Sequence, residues 1–307
     1  MALMETKPVV TNVFEQGSFG FTSITVEKSN ESSSPPKPLF IVSPTVEGTY
    51  PVLLFFPGTQ TRNASYSKIF EHVSSHGFIV VSPQLCICFL TPQPTEIDSA
   101  AAVTNWLPTG LSSTLPTNIH PNLQLLAVSG HSRGGKSAFA LALDESSLIT
   151  SLSIKTLIAL DPVAGFCGKE IPPHILTYVP RSFNLTIPVA VIGTGLGPEH
   201  KFGIMPACAP DKLNCEEFFA ECKPPCCYFK AKDFGHMDML DDVTLMSCMC
   251  VSGDGTGGKE GLRACLGGVF VACLRAFLEG ESGDLRVIVN NPGVAPVVLD
   301  PVYFVET

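Results

Sequence analysis

Charge is scarce in this chain, and positive charge is the scarcer half. Of 307 residues 15% are charged, and 19 Lys and Arg stand against 28 Asp and Glu, a formal net charge of −9. Such a surface offers no basic stripe to a phosphate backbone, which excludes nucleic acid as a partner and argues against electrostatic attachment to anionic lipid. Uninterrupted apolar runs of the roughly 20 residues needed to span a bilayer are also missing. The nearest, Val269 to Leu274, is preceded by Gly267-Gly268 and stopped by Arg275, so it reads as a buried helix. The N-terminus lacks the apolar core of a signal peptide, and with Glu5 and Glu15 but no arginine it lacks transit-peptide composition, so it predicts no sorting route. Paired CxxC motifs are missing although the chain holds 12 cysteines, so no metal site is expected. Most of these cysteines read as buried thiols, with one or two disulfides expected inside the loop from Cys208 to Cys227.

What the chain does contain is apolar bulk, 45% of its residues. A chain of this length can bury about three quarters of its unfolded surface and needs no staple to hold a core. Residues 1–307 are expected to form one domain, with 1–18 an N-terminal segment and a candidate for disorder.

Its most informative segment is Gly130-His-Ser132-Arg-Gly134. An apolar run, Leu123 to Val128, reads as a buried strand before it, and Ala138 to Leu143 reads as a helix after it. Strand, sharp turn and helix are the setting of a nucleophile elbow, in which flanking glycines make room for a strained serine. Elsewhere strand-like and helix-like runs alternate. Phe21–Val26 alternates as an antiparallel edge strand would, and Leu39–Val42, Val52–Phe56, Phe78–Val81, Thr156–Leu160 and Ile187–Ile192 read as further strands. Cys227–Ala231 reads as the last. Helices are expected from Tyr66 to His76, closed by Gly77, from a capping box at Thr95 to Asp98 through Trp106, and from Leu262 to Leu278. The pattern predicts a mostly parallel sheet with helices on both faces, an α/β-hydrolase fold.

A serine is a poor nucleophile without a base, and the base needs an orienting acid. In this fold they follow in the order serine, acid, histidine. Of the histidines after Ser132, His174 lies in a proline-rich loop and His200 one strand too early. His236, just past the strand ending at Ala231, is the expected base. Asp161, directly at the end of a strand, is preferred as the acid over Glu199, which sits in a glycine-rich turn, because an orienting group belongs on a rigid element. Amides of Arg133 and of Thr59, with Gln60 the second choice, are the expected oxyanion donors. Leu85 to Leu90 carries no charge and suits the rim of a site for a large apolar substrate. His131 reads as a packing residue.

Several longer segments resemble plant chlorophyllases: Gly130 to Ala140, Ala159-Leu-Asp161-Pro-Val-Ala-Gly165, Pro173 to Tyr178, Val191 to Gly197, and Gly235-His236-Met-Asp238 through Asp242. So do Ser75 to Gln84 and the stretch from Cys208 through Glu216 to Lys223, and the match runs from about Gly20 to about Asp300. Pro57-Gly58 stands where family members often carry His-Gly. The resemblance implies a serine esterase that cleaves the phytyl ester of chlorophyll or a related tetrapyrrole, and it places the triad on Ser132, Asp161 and His236. It implies residence in the chloroplast, and no enzyme cofactor, since the magnesium belongs to the substrate. An apolar surface would suit transient membrane contact. A broad carboxylesterase or lipase fits the elbow equally well, and a non-catalytic binder of hydrophobic ligands is the third reading.

Overall fold

The computed structural model describes residues 11–29, 31, 33–85, 91–243 and 245–307. In chain order the strands are β1 (Phe21–Val26), β2 (Leu39–Pro44), β3 (Gly48–Phe56), β4 (Ile79–Pro83), β5 (Ile119–His131) and β6 (Ile154–Leu160), the two-residue hairpin arms β7 (Gly165–Phe166) and β8 (Lys169–Glu170), then β9 (Val189–Thr194), β10 (Cys226–Ala231) and β11 (Leu299–Val305). Nine of them form one sheet in the order β1-β2-β4-β3-β5-β6-β9-β10-β11. Strands β4 through β10 of that order run parallel, and β1, β2 and β11 are antiparallel at the margins.

The central strands are buried on both faces, which is why they read as continuous apolar runs. Alternate residues serve two cores. Val52, Leu54, Phe56, Leu126, Val128, Leu157 and Val191 join one, and Leu53, Phe55, Ala127, Ile158, Leu160 and Ile192 join the other. Against the first pack α2 (Gln93–Thr114), α3 (Arg133–Ala142) and α4 (Cys215–Glu221); against the second pack α1 (Ser67–Ser75), α6 (Gly258–Leu274) and α7 (Gly283–Asn290). A short α5 (Leu245–Met249) precedes α6. This is the expected α/β-hydrolase architecture, with helices on both faces of a mostly parallel sheet.

Four expectations need correction. Cys227–Ala231 lies in β10, which is not the last strand, because β11 pairs antiparallel with it. Pro301 and a half-exposed burial pattern hid β11, and an edge strand is where proline is tolerated. The second helix starts at Gln93 and carries on through Pro108 to Thr114, since Leu107 and Leu111 stay buried in the first core and offset the lost backbone bond. Asp98 does not cap that helix: it accepts bonds from Ser146 and Ser147 after α3. Of the segment 1–18, residues 1–10 lie outside the described residues, but 11–18 are docked. Val13 is fully buried, its carbonyl accepts from His72 Nε2, and Gly17 N–H donates to Ser75 Oγ.

The α6 helix continues through a π-helical turn, Arg275–Glu279, and the whole span is long and apolar enough to cross a bilayer. Its most apolar window is 72% buried inside the protein, where it fills the second core, so it is the buried helix that the sequence predicts.

Candidate active site

Strand β5 ends at His131 and helix α3 begins at Arg133, leaving Ser132 alone on the turn between them with φ 57° and ψ −124°. An L-residue pays for such a conformation, and the turn holds it by burying backbone against backbone. A Cβ on Gly130 would lie 2.3 Å from Gly134 O, and one on Gly134 would lie 2.1 Å from Phe56 O. Only glycine fits at either position, as the elbow requires. Ser132 N–H donates to Leu160 O, so the neighbouring strand β6 also anchors the turn.

Asp161 follows β6 directly, with φ 41°, and its N–H donates to Ile192 O of β9. His236 lies in the loop after β10. The three side chains fall into one line: His236 Nε2 is 2.8 Å from Ser132 Oγ, and His236 Nδ1 is 2.7 Å from Asp161 Oδ2. Asp161 is fully buried and His236 nearly so. Burial pushes the Asp161 carboxyl up. The hydrogen bond and charge of His236, with the Thr194 hydroxyl, outweigh it and hold the group below its ordinary range. Glu199 is exposed, His174 sits on the surface beside Glu170, and His200 is exposed.

The expected oxyanion donors border the same cleft, about 640 Å³ of empty space partly open to solvent, lined by Gly58, Thr59, Arg133, Ser132 and His236 among others. Arg133 is the first residue of α3, where an amide has no acceptor within the helix. Its guanidinium is held by Glu96 at 2.8 Å and by Thr91 O, which fixes the residue. Gln60 has φ 52° and is not among the lining residues. Of the apolar stretch Leu85 to Leu90 only Leu85 is described, and it packs in the first core; 86–90 lie outside the described residues.

The far side of the cleft is closed by a disulfide between Cys208 and Cys250, 42 residues apart. This corrects the expected pairing inside 208–227. Cys215 on α4, Cys222 just after it, and Cys226 and Cys227 on β10 are buried free thiols.

Four further residues shape the site; of these the sequence gave a role only to His131, as a packing residue. Buried Asp238 accepts from Gly235 N at 2.6 Å, Gly253 N at 2.7 Å and Ser252 Oγ, and pairs with Lys259 at 3.0 Å. It therefore ties the His236 loop to the chain ahead of α6; its place two residues after His236 was the available signal. Lys136 is fully buried, its amine brought down to about 8 by burial, and it donates to Ala164 O and Ile171 O. Those contacts hold the wall formed by Val163, Ala164 and Ile171. His131 stacks obliquely on His236, with ring centroids 4.6 Å apart, and Tyr66 lies 2.8 Å from its Nδ1. Neither is visible from spacing, because Tyr66 and His131 are 65 residues apart.

A family model for chlorophyllases matches residues 9–306. The chain is 47% identical to chlorophyllase-1 of Arabidopsis thaliana across 98% of this chain and 96% of that one. It is 44% identical to a chloroplastic chlorophyllase-1 of Citrus unshiu, across 96% of this chain and 89% of that one, and 42% identical to chlorophyllase-2 of Arabidopsis thaliana, across 89% and 91%. With a family model over nearly its whole length and relatives of this identity and coverage, the chain belongs to the chlorophyllase family.

Proposed function

We propose that this protein is a serine esterase that hydrolyses the phytyl ester of chlorophyll, or of a related tetrapyrrole, to chlorophyllide and phytol. The observation that carries the reading is the hydrogen-bonded line from Ser132 Oγ through His236 to Asp161 at the edge of a single cleft, in a chain of this family. In this reading His236 Nε2 takes the Ser132 proton as Oγ attacks the propionate ester carbonyl, and Asp161 holds the imidazole tautomer and stabilises the imidazolium. The Thr59 and Arg133 amides receive the oxyanion. Collapse of the tetrahedral intermediate breaks the bond to phytol, which leaves with the proton from His236. Water, deprotonated by His236, then attacks the acyl-enzyme and frees the chlorophyllide carboxylate and Ser132. The whole chain acts here as one domain, a reading supported by the one sheet to which every long strand belongs.

The chloroplast is the compartment proposed, supported by the chloroplastic Citrus relatives. Transient membrane contact is proposed through Phe202 and Ile204, 82% and 83% exposed, and Val243, 83% exposed, on the two loops that the Cys208–Cys250 bridge joins at the cleft. Replacing all three with serine should weaken sedimentation with galactolipid vesicles, and unchanged sedimentation removes the contact.

The deciding measurement is release of phytol and chlorophyllide from purified chlorophyll a by wild type and by Ser132→Ala. The variant should fall by about 10⁴-fold or more. Wild type that cleaves a short aryl ester but leaves chlorophyll intact would replace this reading with a broad carboxylesterase.

A further inference from the structure

The residue between Gly130 and Ser132 is a histidine with no part in the proton shuttle, yet it is fully buried and lies against His236. The hydrogen-bond directions around it are fixed. His131 Nε2 lies 2.9 Å from the main-chain oxygen of His236. A carbonyl has no proton to give, so Nε2–H donates. Burial first, and then the charge of His236, push the His131 imidazole down to about 3, so the ring is neutral and Nδ1 carries a lone pair. The Tyr66 hydroxyl, 2.8 Å away, donates to that lone pair. Burial holds the Tyr66 phenol far above its ordinary range, so it keeps its proton. Its oxygen in turn accepts Gly58 N–H at 3.0 Å. One directional chain therefore runs from Gly58 N–H to Tyr66 O–H to His131 Nδ1, and from His131 Nε2–H to His236 O.

Both ends of this chain are backbone groups of the machinery. Gly58 immediately precedes Thr59, the proposed oxyanion donor, and the His236 carbonyl belongs to the residue that carries the base. Gly58 is buried, so without Tyr66 Oη its amide would lose its partner away from water, a cost the loop could relieve only by turning the peptide. That turn would carry Thr59 with it. Tyr66 itself has no room to wander, with Phe55 and Phe70 rings 4.8 and 5.9 Å from its own. An apolar pair would fill the same volume but would leave Gly58 N–H and His236 O without partners, so what the tyrosine and the histidine add beyond packing is these two backbone contacts.

We propose that Tyr66 and His131 are positioning residues that set the oxyanion loop and the general base together, through a single relay of hydrogen bonds. The proposal rests on the esterase reading above, though not on the identity of the ester.

The test is steady-state kinetics on chlorophyll a and on a short aryl ester with Tyr66→Phe, His131→Leu, His131→Gln and the double variant Tyr66→Phe/His131→Leu. His131→Leu should lower kcat roughly 10- to 100-fold, with KM within about twofold, because misplacement by a fraction of an ångström acts on the transition state. Tyr66→Phe should lower kcat about 10-fold, and the double variant should be no slower than His131→Leu, since one relay cannot be broken twice. A glutamine amide offers one acceptor and one donor in nearly the places of Nδ1 and Nε2, so His131→Gln should recover most of the rate. The inhibition constant of a trifluoromethyl ketone, whose tetrahedral adduct needs the oxyanion donors, should rise in step with the loss of kcat/KM. Tyr66→Phe removes one oxygen from a clamped ring and keeps the test open should His131→Leu not fold. A kcat unchanged within twofold with only a lower melting temperature, losses that multiply in the double variant, or a glutamine variant as slow as the leucine one would each overturn the proposal. Activity on the aryl ester alone would refute the chlorophyll assignment and leave this test intact.

Discussion

The two walls of the cleft reach the same precision by different means. One wall is made of strand ends, Gly58 beyond β3 and Ser132 beyond β5, with Asp161 beyond β6 buried behind them. Its residues are fixed by backbone, with Ser132 N bonded to Leu160 O and Asp161 N to Ile192 O, and with glycine Cα atoms pressed onto carbonyls. The other wall is made of the loops after β9 and β10, which have no neighbouring strand to pair with. It is fastened by side chains instead: the four partners of Asp238, the Cys208–Cys250 bridge, and Lys201 Nζ on Cys248 O at 2.8 Å. His236 stands on this second wall and must meet Ser132 on the first. The strand-held wall therefore cannot accept an added atom, whereas the loop-held wall depends on a few individual side chains.

The sharpest way to break that contrast is Gly134→Ala. Its Cβ would be 2.1 Å from Phe56 O, backbone that cannot yield, so a loss of more than about 4 kcal/mol is expected, read as absent soluble protein or a collapsed melt. A variant with the wild-type melting temperature would mean the first wall is not rigid. Next comes Asp238→Ala, which strips a buried carboxylate from two amides, a hydroxyl and Lys259. About 3 kcal/mol is expected, with kcat falling more than KM rises, measured by denaturant midpoint and by rates on an aryl ester. An unchanged kcat would show that the loop-held wall does not need its hub.

Replacing Cys208 and Cys250 by alanine should cost roughly 2–4 kcal/mol for a closed loop of this length. The location of the loss is the sharper readout. Amide exchange should rise in the segments around 200–210 and 245–251, which include the short helix α5, while β3, β5 and β6 stay protected. Exchange spreading into the strands would erase the distinction between the walls.

The smallest effect concerns His131, where the walls meet. Its folded value is about 3 against an ordinary 6.5, and Tyr66, Asp161 and His236 are the titratable groups facing it. The unfolded chain thus binds the extra proton between those values. This contribution to stability is whole above about pH 6.5 and drains away as pH falls towards 3. It amounts to a loss of about 1.4 kcal/mol by about pH 5.5, which His131→Gln should not show. Parallel stability–pH curves for the two proteins would mean that His131 does not titrate as its burial requires.

The pentapeptide around Ser132 was legible because its constraint is local: a strand, a turn with no room for Cβ atoms, and a helix are all encoded within about twenty residues. The buried strands were legible for the same reason, each an apolar run of its own. Strand β11 was not, since Pro301 and an alternating, half-exposed face look like loop until β10 lies beside them. The choice of Asp161 over Glu199 followed from strand-end placement, and the structure sets Asp161 at His236 and leaves Glu199 exposed. The disulfide was misplaced because five cysteines crowded between 208 and 227 suggest pairing among neighbours, while four of them are buried as free thiols on and beside α4 and β10.

The sequence by itself determined the strand–turn–helix setting of Ser132, the two-faced sheet and the family. The tertiary structure alone decided that Cys208 meets Cys250, that Asp238 anchors the His236 loop, and that Tyr66 reaches His131 across 65 residues. The reason is physical. Periodicity and steric turn rules act within a strand or a helix and leave their mark on neighbouring residues. Contacts between loops depend on which strands lie side by side, and strand order is settled only when the whole sheet packs.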